Sequence, residues 1–456
     1  MGRQQGSRSP WRVVICGGGV AGVEALLALR ALMKVVVELH LVAPNRRFIY
    51  QPLAVAEPFE LAETHLFELA ELAADQDAKL HMDSLAHVDT EAGSVRLSSG
   101  IVLPYDALVI AVGAERRDWL EGALHFGGVD SVAAFVGLLE GFEDGSKQRL
   151  CFVNPAGLSW ALPLYELALL TASHLADRGI VGVELTVVTP EEDPLGVFGP
   201  AASRMLRGLL ADRGIALKAG AYAEKIQDGE LHLHPRAAIE VDHVVTLAQL
   251  DGPAVPGLPS DAAGFIAVDE HSRVTGLENV YAAGDGTNFP LKQGGIATQQ
   301  ADAAAEAIAA QMGAALTPAA IRPTLRGMLL DGIAPTYLRA QIAGRTGDSF
   351  EIAANPLWWP PSKIAGRYLA PYLAGHNPLT RDETLQDRPP STRAPARLHE
   401  AHAEARELAL VFAERDAADR HFRSALQWLE VIERLDGVLP TGYLRKRTDW
   451  QDHARR

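Results

Sequence analysis

Apolar positions along the chain fall in short runs that alternate with longer stretches of helix-forming residues. Val13-Val14-Ile15-Cys16 is a continuous apolar run, the pattern of a strand buried on both faces. Val23 to Leu32 follows as a rich helix former, and Val35 to Val42 returns to a strand. Strand, helix, strand in that order predicts a βαβ unit, hence a parallel sheet. The succession returns near residue 150, with a strand over Leu150-Cys151-Phe152-Val153, a helix from Leu162 to Ala176 and a strand from Val183 to Val188. The two closing strands read Val37-Glu38-Leu39-His40-Leu41-Val42-Ala43-Pro44 and Val183-Glu184-Leu185-Thr186-Val187-Val188-Thr189-Pro190. That likeness predicts an internal repeat of one nucleotide-binding architecture, although so short a match leaves chance agreement open.

A different pattern closes the chain. Gln386 to Pro395 carries three prolines and reads as a stiff linker. Beyond it Leu408, Val411, Phe412, Phe422, Leu426, Leu429 and Ile432 fall roughly on one helical face, with charges opposite. The stripe predicts a surface helix packed on the body or on a second subunit, so a homodimer stays open. A membrane-surface helix is the other reading, and the mixed Glu, Asp and Arg of the polar face argue against it.

The length, 456 residues, exceeds one ordinary core and predicts two or three domains. Hydrophobic residues at 48% and charged residues at 22% are those of a globular chain. A net charge of −15 argues against a general nucleic-acid binder, which needs a basic surface. The two cysteines, Cys16 and Cys151, are far apart, which excludes a disulfide framework, a closely spaced redox disulfide and a cysteine-based zinc site. Low cysteine use suits a reducing cytoplasm. The N-terminal residues lack the apolar core of a signal peptide, and no run reaches the roughly 18 apolar residues of a membrane span, so the expectation is a soluble or membrane-peripheral protein.

Chemistry enters with the glycines. Gly17, Gly19 and Gly22 form GxGxxG directly after a strand and opening a helix, in the run Gly17-Gly18-Gly19-Val20-Ala21-Gly22. The first glycine permits the tight turn, the second lets a pyrophosphate approach the backbone, and the third allows close helix–strand packing. The helix N-terminus adds its positive end. An acidic residue usually ends the second strand and binds a ribose hydroxyl. Here Ala43 stands there, followed by Pro44, and Glu38 lies too early, so backbone atoms or Asn45 replace the carboxylate or the ribose is held differently.

Far downstream, Thr275-Gly276-Leu277-Glu278-Asn279-Val280-Tyr281-Ala282-Ala283-Gly284-Asp285 resembles the flavin-contacting motif of the flavoproteins with two dinucleotide-binding domains, the pyridine nucleotide-disulfide oxidoreductase superfamily. Tyr105 to Gly113 resembles the family's crossover between domains. The resemblance implies an α/β fold of two Rossmann-like domains, the second inserted in the first, with a C-terminal interface region and helical tail. Its boundaries are 11–130 and 260–312 for an FAD-binding domain, 131–259 for a second, NAD(P)-binding-like domain, 313–385 for the interface region and 397–456 for the tail. It implies FAD as cofactor, with Asp285 and Gly284 at the ribityl chain. A helix starting around Gly294-Gly295-Ile296 would aim its amides at the flavin pyrimidine edge and favour reduction.

Over about residues 12 to 375 the chain is most similar to sulfide:quinone oxidoreductases and type II NADH dehydrogenases. The implied function is transfer of electrons from a reduced donor, NAD(P)H among the candidates, to an acceptor such as a quinone. A sulfur-handling flavoprotein and a subunit relaying electrons to a protein partner are the alternatives. Two features depart from the family. Trp160 stands where the sulfide enzymes carry a cysteine, before Pro163-Leu164-Tyr165-Glu166. The second loop, Asn154-Pro155-Ala156-Gly157-Leu158-Ser159-Trp160, has one glycine where NAD-dependent relatives have three. Glu191, Glu192 and Asp193 remain candidates for a ribose, so NAD(P)H binding stays open. Ala297-Thr298-Gln299-Gln300 resembles a stretch of the type II dehydrogenases near flavin and quinone, and also fits an ordinary helix surface. Pro356 to Pro361, followed by Ile364, Tyr368, Leu369, Tyr372 and Leu373, suits either a membrane-side boundary or aromatic packing at an interface. No catalytic acid or base stands out.

Overall fold

The structure is a computed structural model, and it describes residues 10–33, 37–143, 145–157, 160–235, 237–343, 346–378, 417, 426, 429 and 441–454. The chain divides into two units, Met1–Pro371 with Pro378–Gln386, and Tyr372–Asn377 with Asp387–Arg456.

The first unit begins with β1 (Trp11–Cys16), α1 (Val20–Met33), β2 (Val37–Val42), β3 (Ala78–His81) and β4 (Ala107–Ile110). The chain then leaves this sheet and builds another from β5 (Leu124–Phe126), β6 (Arg149–Val153), β7 (Glu184–Thr189), β8 (Ala216–Ala219) and β9 (His243–Leu247), with α2 (Leu162–Asp177) between β6 and β7. It returns through β10 (Val280–Ala282) and α3 (Gly294–Gln311). Among the described residues this gives two five-stranded parallel sheets, ordered β10-β4-β1-β2-β3 and β5-β9-β6-β7-β8. The fold is α/β, with two Rossmann-like sheets and the second inserted into the first. A three-stranded antiparallel sheet follows, β11 (Thr324–Leu329), β12 (Thr336–Ala343) and β13 (Thr346–Ala353).

The expected strands form because their apolar runs are buried on both faces. Val13, Val14, Ile15 and Cys16 are all inaccessible to solvent, as are Phe152 and Val153 of β6. In both sheets the central strand has its successor on one side and a later strand on the other, β1 between β2 and β4, β6 between β7 and β9. A crevice opens at the carboxyl ends of strands where the order reverses in this way. Leu325, Leu329 and Leu338 of the antiparallel sheet share a hydrophobic core with Phe152, Leu167 and Val245, so that sheet closes over α2.

The proline-tryptophan segment packs partly within the chain. Trp358 donates its indole N–H to the Ser362 carbonyl at 2.8 Å and meets the Tyr337 ring edge-on at 5.2 Å. The Ile364 amide donates to the Tyr50 hydroxyl at 2.8 Å. In the second unit a helix runs over Thr441–Ala454, with Tyr443 edge-on to Trp450 at 6.4 Å. The proline-rich linker and most of the apolar stripe lie outside the described residues. Among the described residues no helix is long and apolar enough to cross a membrane.

α1 and α3 pack against each other and bury two acids between them. Glu24 of α1 accepts the amides of Tyr368 at 2.9 Å and Leu369 at 2.6 Å, and shares a hydrogen bond with Asp302 of α3. Burial pushes the Glu24 carboxyl up to about 7, and burial with the neighbouring Glu24 carboxyl raises Asp302 as well. Arg367, which is ion-paired with Glu306, opposes the rise at Asp302. Both acids keep a proton in the fold that the unfolded chain gives up near its ordinary value. The Glu24 contribution is therefore complete below about pH 4.5 and is lost as pH rises through about 7, and that of Asp302, raised in the same direction, is lost in the same sense. Thermal melts from pH 5 to 8 should show stability falling with pH in the wild type, with a shallower fall in Asp302→Asn. Identical slopes would remove the pair as the cause.

Candidate cofactor and substrate site

The loop after β1 is shaped by contacts at van der Waals limits. Gly17 has φ +124°, and a Cβ there would lie 2.0 Å from the Ala111 carbonyl oxygen at the end of β4. A Cβ on Gly22 would lie 1.8 Å from the Gly17 carbonyl oxygen. One on Gly18 would come 2.9 Å from Ala43 Cβ. Gly19 differs: a Cβ there would meet nothing within 4 Å, and the residue is exposed. Gly17 and Gly22 thus let α1 close on β1 and β4, and Gly19 leaves a bare backbone at the helix N-terminus. Val20 opens α1, and Ala21 packs behind it, its Cβ 3.2 Å from where a Cβ on Gly284 would stand. After β2, Ala43 is buried while Pro44 and Asn45 are exposed. Glu38 is engaged elsewhere: Lys79, His40 and Arg12 surround it and hold its carboxyl down at about 2.

Gly113, with φ +80°, and Gly284-Asp285 meet this loop from the neighbouring strand ends. The Ala283 amide donates to the Ile110 carbonyl at 2.9 Å, and a Cβ on Gly286 would come 2.7 Å from the Gly113 carbonyl oxygen. Gln300 of α3 holds the turn. Its side-chain oxygen accepts the Gly284 amide at 2.8 Å and its amide nitrogen donates to Thr287 Oγ1 at 3.0 Å. Gln299 bonds the Gly295 and Thr324 carbonyls and accepts the Thr324 amide. Both glutamines are structural ties, and neither is an ordinary surface residue. Asp285 is unlike them. It lies deep at the cavity wall, and among the described residues no donor hydrogen-bonds its carboxylate. Burial raises its carboxyl, opposed by Lys292 and Arg116.

α3 begins at Gly294, as the pattern predicts. The Ile296 amide, however, donates to Gln293 Oε1 at 3.0 Å, and the Ile296 side chain is buried in the hydrophobic core. The helix end is therefore capped by Gln293 at that position, leaving the Gly294 and Gly295 amides nearest the cavity.

That cavity, about 270 Å³, is lined by Asp285, Lys292, Arg116, Arg326, Glu166 and Lys363, with Trp160 and Met328 among its apolar walls. Lys363 contacts both carboxylate oxygens of Glu166, at 2.6 and 2.7 Å, and Leu330 donates its amide to the same acid at 2.9 Å. Both groups are buried, which raises the Glu166 carboxyl and lowers the Lys363 ammonium, each opposed by the other's charge. Lys292 donates to the Thr287 carbonyl and sits 3.8 Å from the centroid of the Phe265 ring. Burial brings it down to about 8, against the pull of Asp285. In this set the resemblance pointed to Asp285, Trp160 and Glu166, and Glu166 pairs with Lys363. That partner is 197 residues away, a separation that no local pattern reveals.

The second sheet ends differently. β6 stops at Val153 and α2 starts only at Leu162, with a proline in its first turn. Glu191 is turned inward, where it accepts the Tyr165 hydroxyl at 2.5 Å and the Leu195 amide at 3.1 Å. Burial keeps its carboxyl raised. It is not free for a ribose, whereas Glu192 and Asp193 remain on the periphery. Trp160 packs edge-on against Phe198 at 6.0 Å. Cys16 and Cys151 are buried in β1 and β6, and burial pushes both thiols up, so neither presents a thiolate. Among the described residues no group of acids, histidines and cysteines could hold a metal.

A protein-family model described as Pyridine nucleotide-disulphide oxidoreductase matches residues 11–310. The chain belongs to that family. Among curated proteins it is 28% identical over 337 residues to Alternative NAD(P)H-ubiquinone oxidoreductase C1, chloroplastic/mitochondrial, of Arabidopsis thaliana, covering 62% of this chain and 63% of the relative. It is 28% identical over 218 residues to Sulfide-quinone reductase of Aquifex aeolicus (strain VF5), covering 44% of this chain and 49% of the relative. The chain thus spans less than two thirds of either relative's length. Among solved structures, the sulfide:quinone oxidoreductase from the hyperthermophilic bacterium Aquifex aeolicus superposes with a TM-score of 0.69 at 21% identity, over 75% of this chain and 86% of that one, a likeness of fold. The pyridine nucleotide-disulphide oxidoreductase family is a flavoprotein family, as the motifs implied, and the similarity to both quinone-linked groups agrees with the resemblance read from Asp285 and its surroundings.

The glycines separate ligand from packing roles. Gly19→Leu should leave the fold and its melting temperature without ligand unchanged while abolishing flavin retention, because its side chain enters open space. Gly22→Ala should destabilise the protein itself, by about 1–3 kcal/mol as overpacking does, since its Cβ would lie 1.8 Å from a backbone oxygen. Cofactor content and chemical denaturation measure both. A Gly19→Leu protein that keeps its flavin would disprove the cradle.

Proposed function

We propose that this chain is an FAD-dependent oxidoreductase that passes electrons from a reduced small-molecule donor to an acceptor such as a quinone. The observation that carries the reading is Asp285, a deep carboxylate without a hydrogen-bond donor, opening on a cavity beside an exposed glycine cradle. A buried polar group left without partners costs free energy, and a ribityl hydroxyl would remove that cost. Bound FAD supplies the hydride and electron chemistry.

The residues divide the work of binding. Gly17, Gly18, Gly19, Val20, Ala21 and Gly22 offer backbone to the pyrophosphate at the α1 N-terminus. Ala43 and Pro44 adjoin the adenosine ribose, where Ala43 contributes no carboxylate. Gly113 lines the crossover, Gly284 and Asp285 take the ribityl chain, and the α3 end at Gly294, ahead of the capped Ile296, faces the pyrimidine edge. The domain division that goes with this reading is FAD-binding over 11–130 and 260–312, the inserted domain over 131–259, an interface region over 313–385 and a tail over 397–456. NAD(P)H is a weaker candidate as donor, because Glu191 is engaged and the second loop lacks a bare-glycine cradle. The sulfide alternative lacks an accessible thiol. The setting that fits low cysteine use is the cytoplasm, with contact at the inner face of a membrane where a quinone is the acceptor.

Purified protein should be yellow and release FAD on heating. Asp285→Ala should weaken FAD binding by about 1–3 kcal/mol, roughly 5- to 150-fold, with the fold intact. Recovery of FMN, or unchanged affinity in the variant, would refute the assignment. Anaerobic titration with NADH and NADPH, followed by flavin bleaching, decides whether a nicotinamide is the donor.

A further inference from the structure

The cavity holds more positive charge than it neutralises. Lys363 is matched by Glu166, and Lys292 by its carbonyl, ring and Asp285 contacts. Arg116 lies on an exposed strand at the rim, where water serves it. Arg326 of β11 has none of these compensations. Its Nε is buried with no hydrogen-bond partner, and among the described residues no carboxylate or carbonyl takes its guanidinium. The charge that bears on it most is the like-charged Arg339, and burial with that neighbour lowers it to about 10. A half-buried guanidinium whose Nε is shut off from both water and acceptor is costly, and an anion at its open nitrogens offsets that cost.

We propose that Arg326 is the anchor for the carboxylate of a small organic acid that is the protein's substrate, bound beside the flavin whose ribityl chain takes Asp285. With Lys363 and Glu166 cancelling, and Lys292 set against Asp285, one interior positive charge is left over. That balance calls for a monoanionic group, and the two resident carboxylates disfavour a dianionic phosphate. The planar fork of the guanidinium matches a carboxylate with two parallel hydrogen bonds. Trp160, Leu162, Phe126, Leu250 and Met328 supply apolar walls for a carbon skeleton on the side of the cavity away from Gln293 and Gly294. The inference rests on the flavoprotein reading for the word substrate, and not for the anion site itself.

The test uses the purified protein with whatever cofactor it carries, sodium benzoate as the probe and benzamide as its neutral counterpart. Calorimetric titration at constant ionic strength should show benzoate binding at one site, at least tenfold tighter than benzamide. Arg326→Gln should weaken benzoate at least tenfold and leave benzamide unchanged, while Arg326→Lys recovers part of the loss. Circular dichroism and flavin content establish that each variant is folded. Wild-type protein that does not bind benzoate, or binds both probes alike, overturns the proposal. So does an Arg326→Gln protein that binds benzoate normally but has a lowered flavin midpoint potential, which would assign the guanidinium to the cofactor. Protein without flavin would refute the flavoprotein reading, and calorimetry would still decide the anion site.

Discussion

The approach of α1 to the ends of β1 and β4 is the constraint on which the rest depends. It requires Gly17 beneath the Ala111 carbonyl and Gly22 against the Gly17 carbonyl, at separations of 2.0 and 1.8 Å that no Cβ tolerates. Because the backbone is drawn that close, the amides at the start of α1 point out over the crevice and do not stand behind side chains. The same approach fixes where β10 must end. Its register beside β4 brings Gly284 against Ala21 and Asp285 to the cavity wall. A loop and a turn some 265 residues apart become one site through a single packing requirement.

Interior polar groups around this site are mostly satisfied within the chain. Gln300 pins the Gly284 turn, Gln293 caps α3, and Lys363 and Glu166 neutralise each other. This network makes the exceptions informative. Among the described residues that line the cavity, Arg326 Nε is buried without a partner and no donor hydrogen-bonds the Asp285 carboxylate, so both lie where a ligand would complete them. Rigidity around them has the same origin, because the ties from Gln299 and Gln300 join α3 both to the Asp285 turn and to β11, the strand that carries Arg326.

Much of this was legible in the chain's pattern, and for identifiable reasons. Continuous apolar runs announced β1 and β6, since parallel strands buried on both faces have no polar alternation to obscure them, while β2 and β7, which carry Glu38 and His40, and Glu184 and Thr186, were legible from their place after a helix. The glycine spacing and Gly284-Asp285 are local backbone requirements, so they leave local marks. The charged cavity was not legible, because Glu166, Arg326 and Lys363 come from three distant elements and each alone reads as an ordinary residue. Gln299 and Gln300 looked equally suited to a helix surface, as glutamine side chains are common there, and only the turn that they reach shows otherwise. The amide of Ile296 was expected to face a ligand, and the competing cap from Gln293 could not be read from helix-forming tendency alone.

The carboxyl ends of the two sheets differ in what they leave open. In the first, three residues separate β1 from α1, and the helix end lies bare at Gly19. In the second, the connection is long, a proline occupies the first turn of α2, and Tyr165 from that helix reaches Thr189 and Glu191 at the end of β7. The hydroxyl and carboxylate at that position satisfy each other across the ground where an open ribose site would need them free. Trp160, packed on Phe198, adds an aromatic wall to the cavity. The inserted sheet still contributes its core, through Phe152, Val187 and Val245, to the support of the antiparallel sheet that carries Arg326. It also forms one wall of the cavity, through Phe126 and Leu247 at the ends of β5 and β9 and through Trp160.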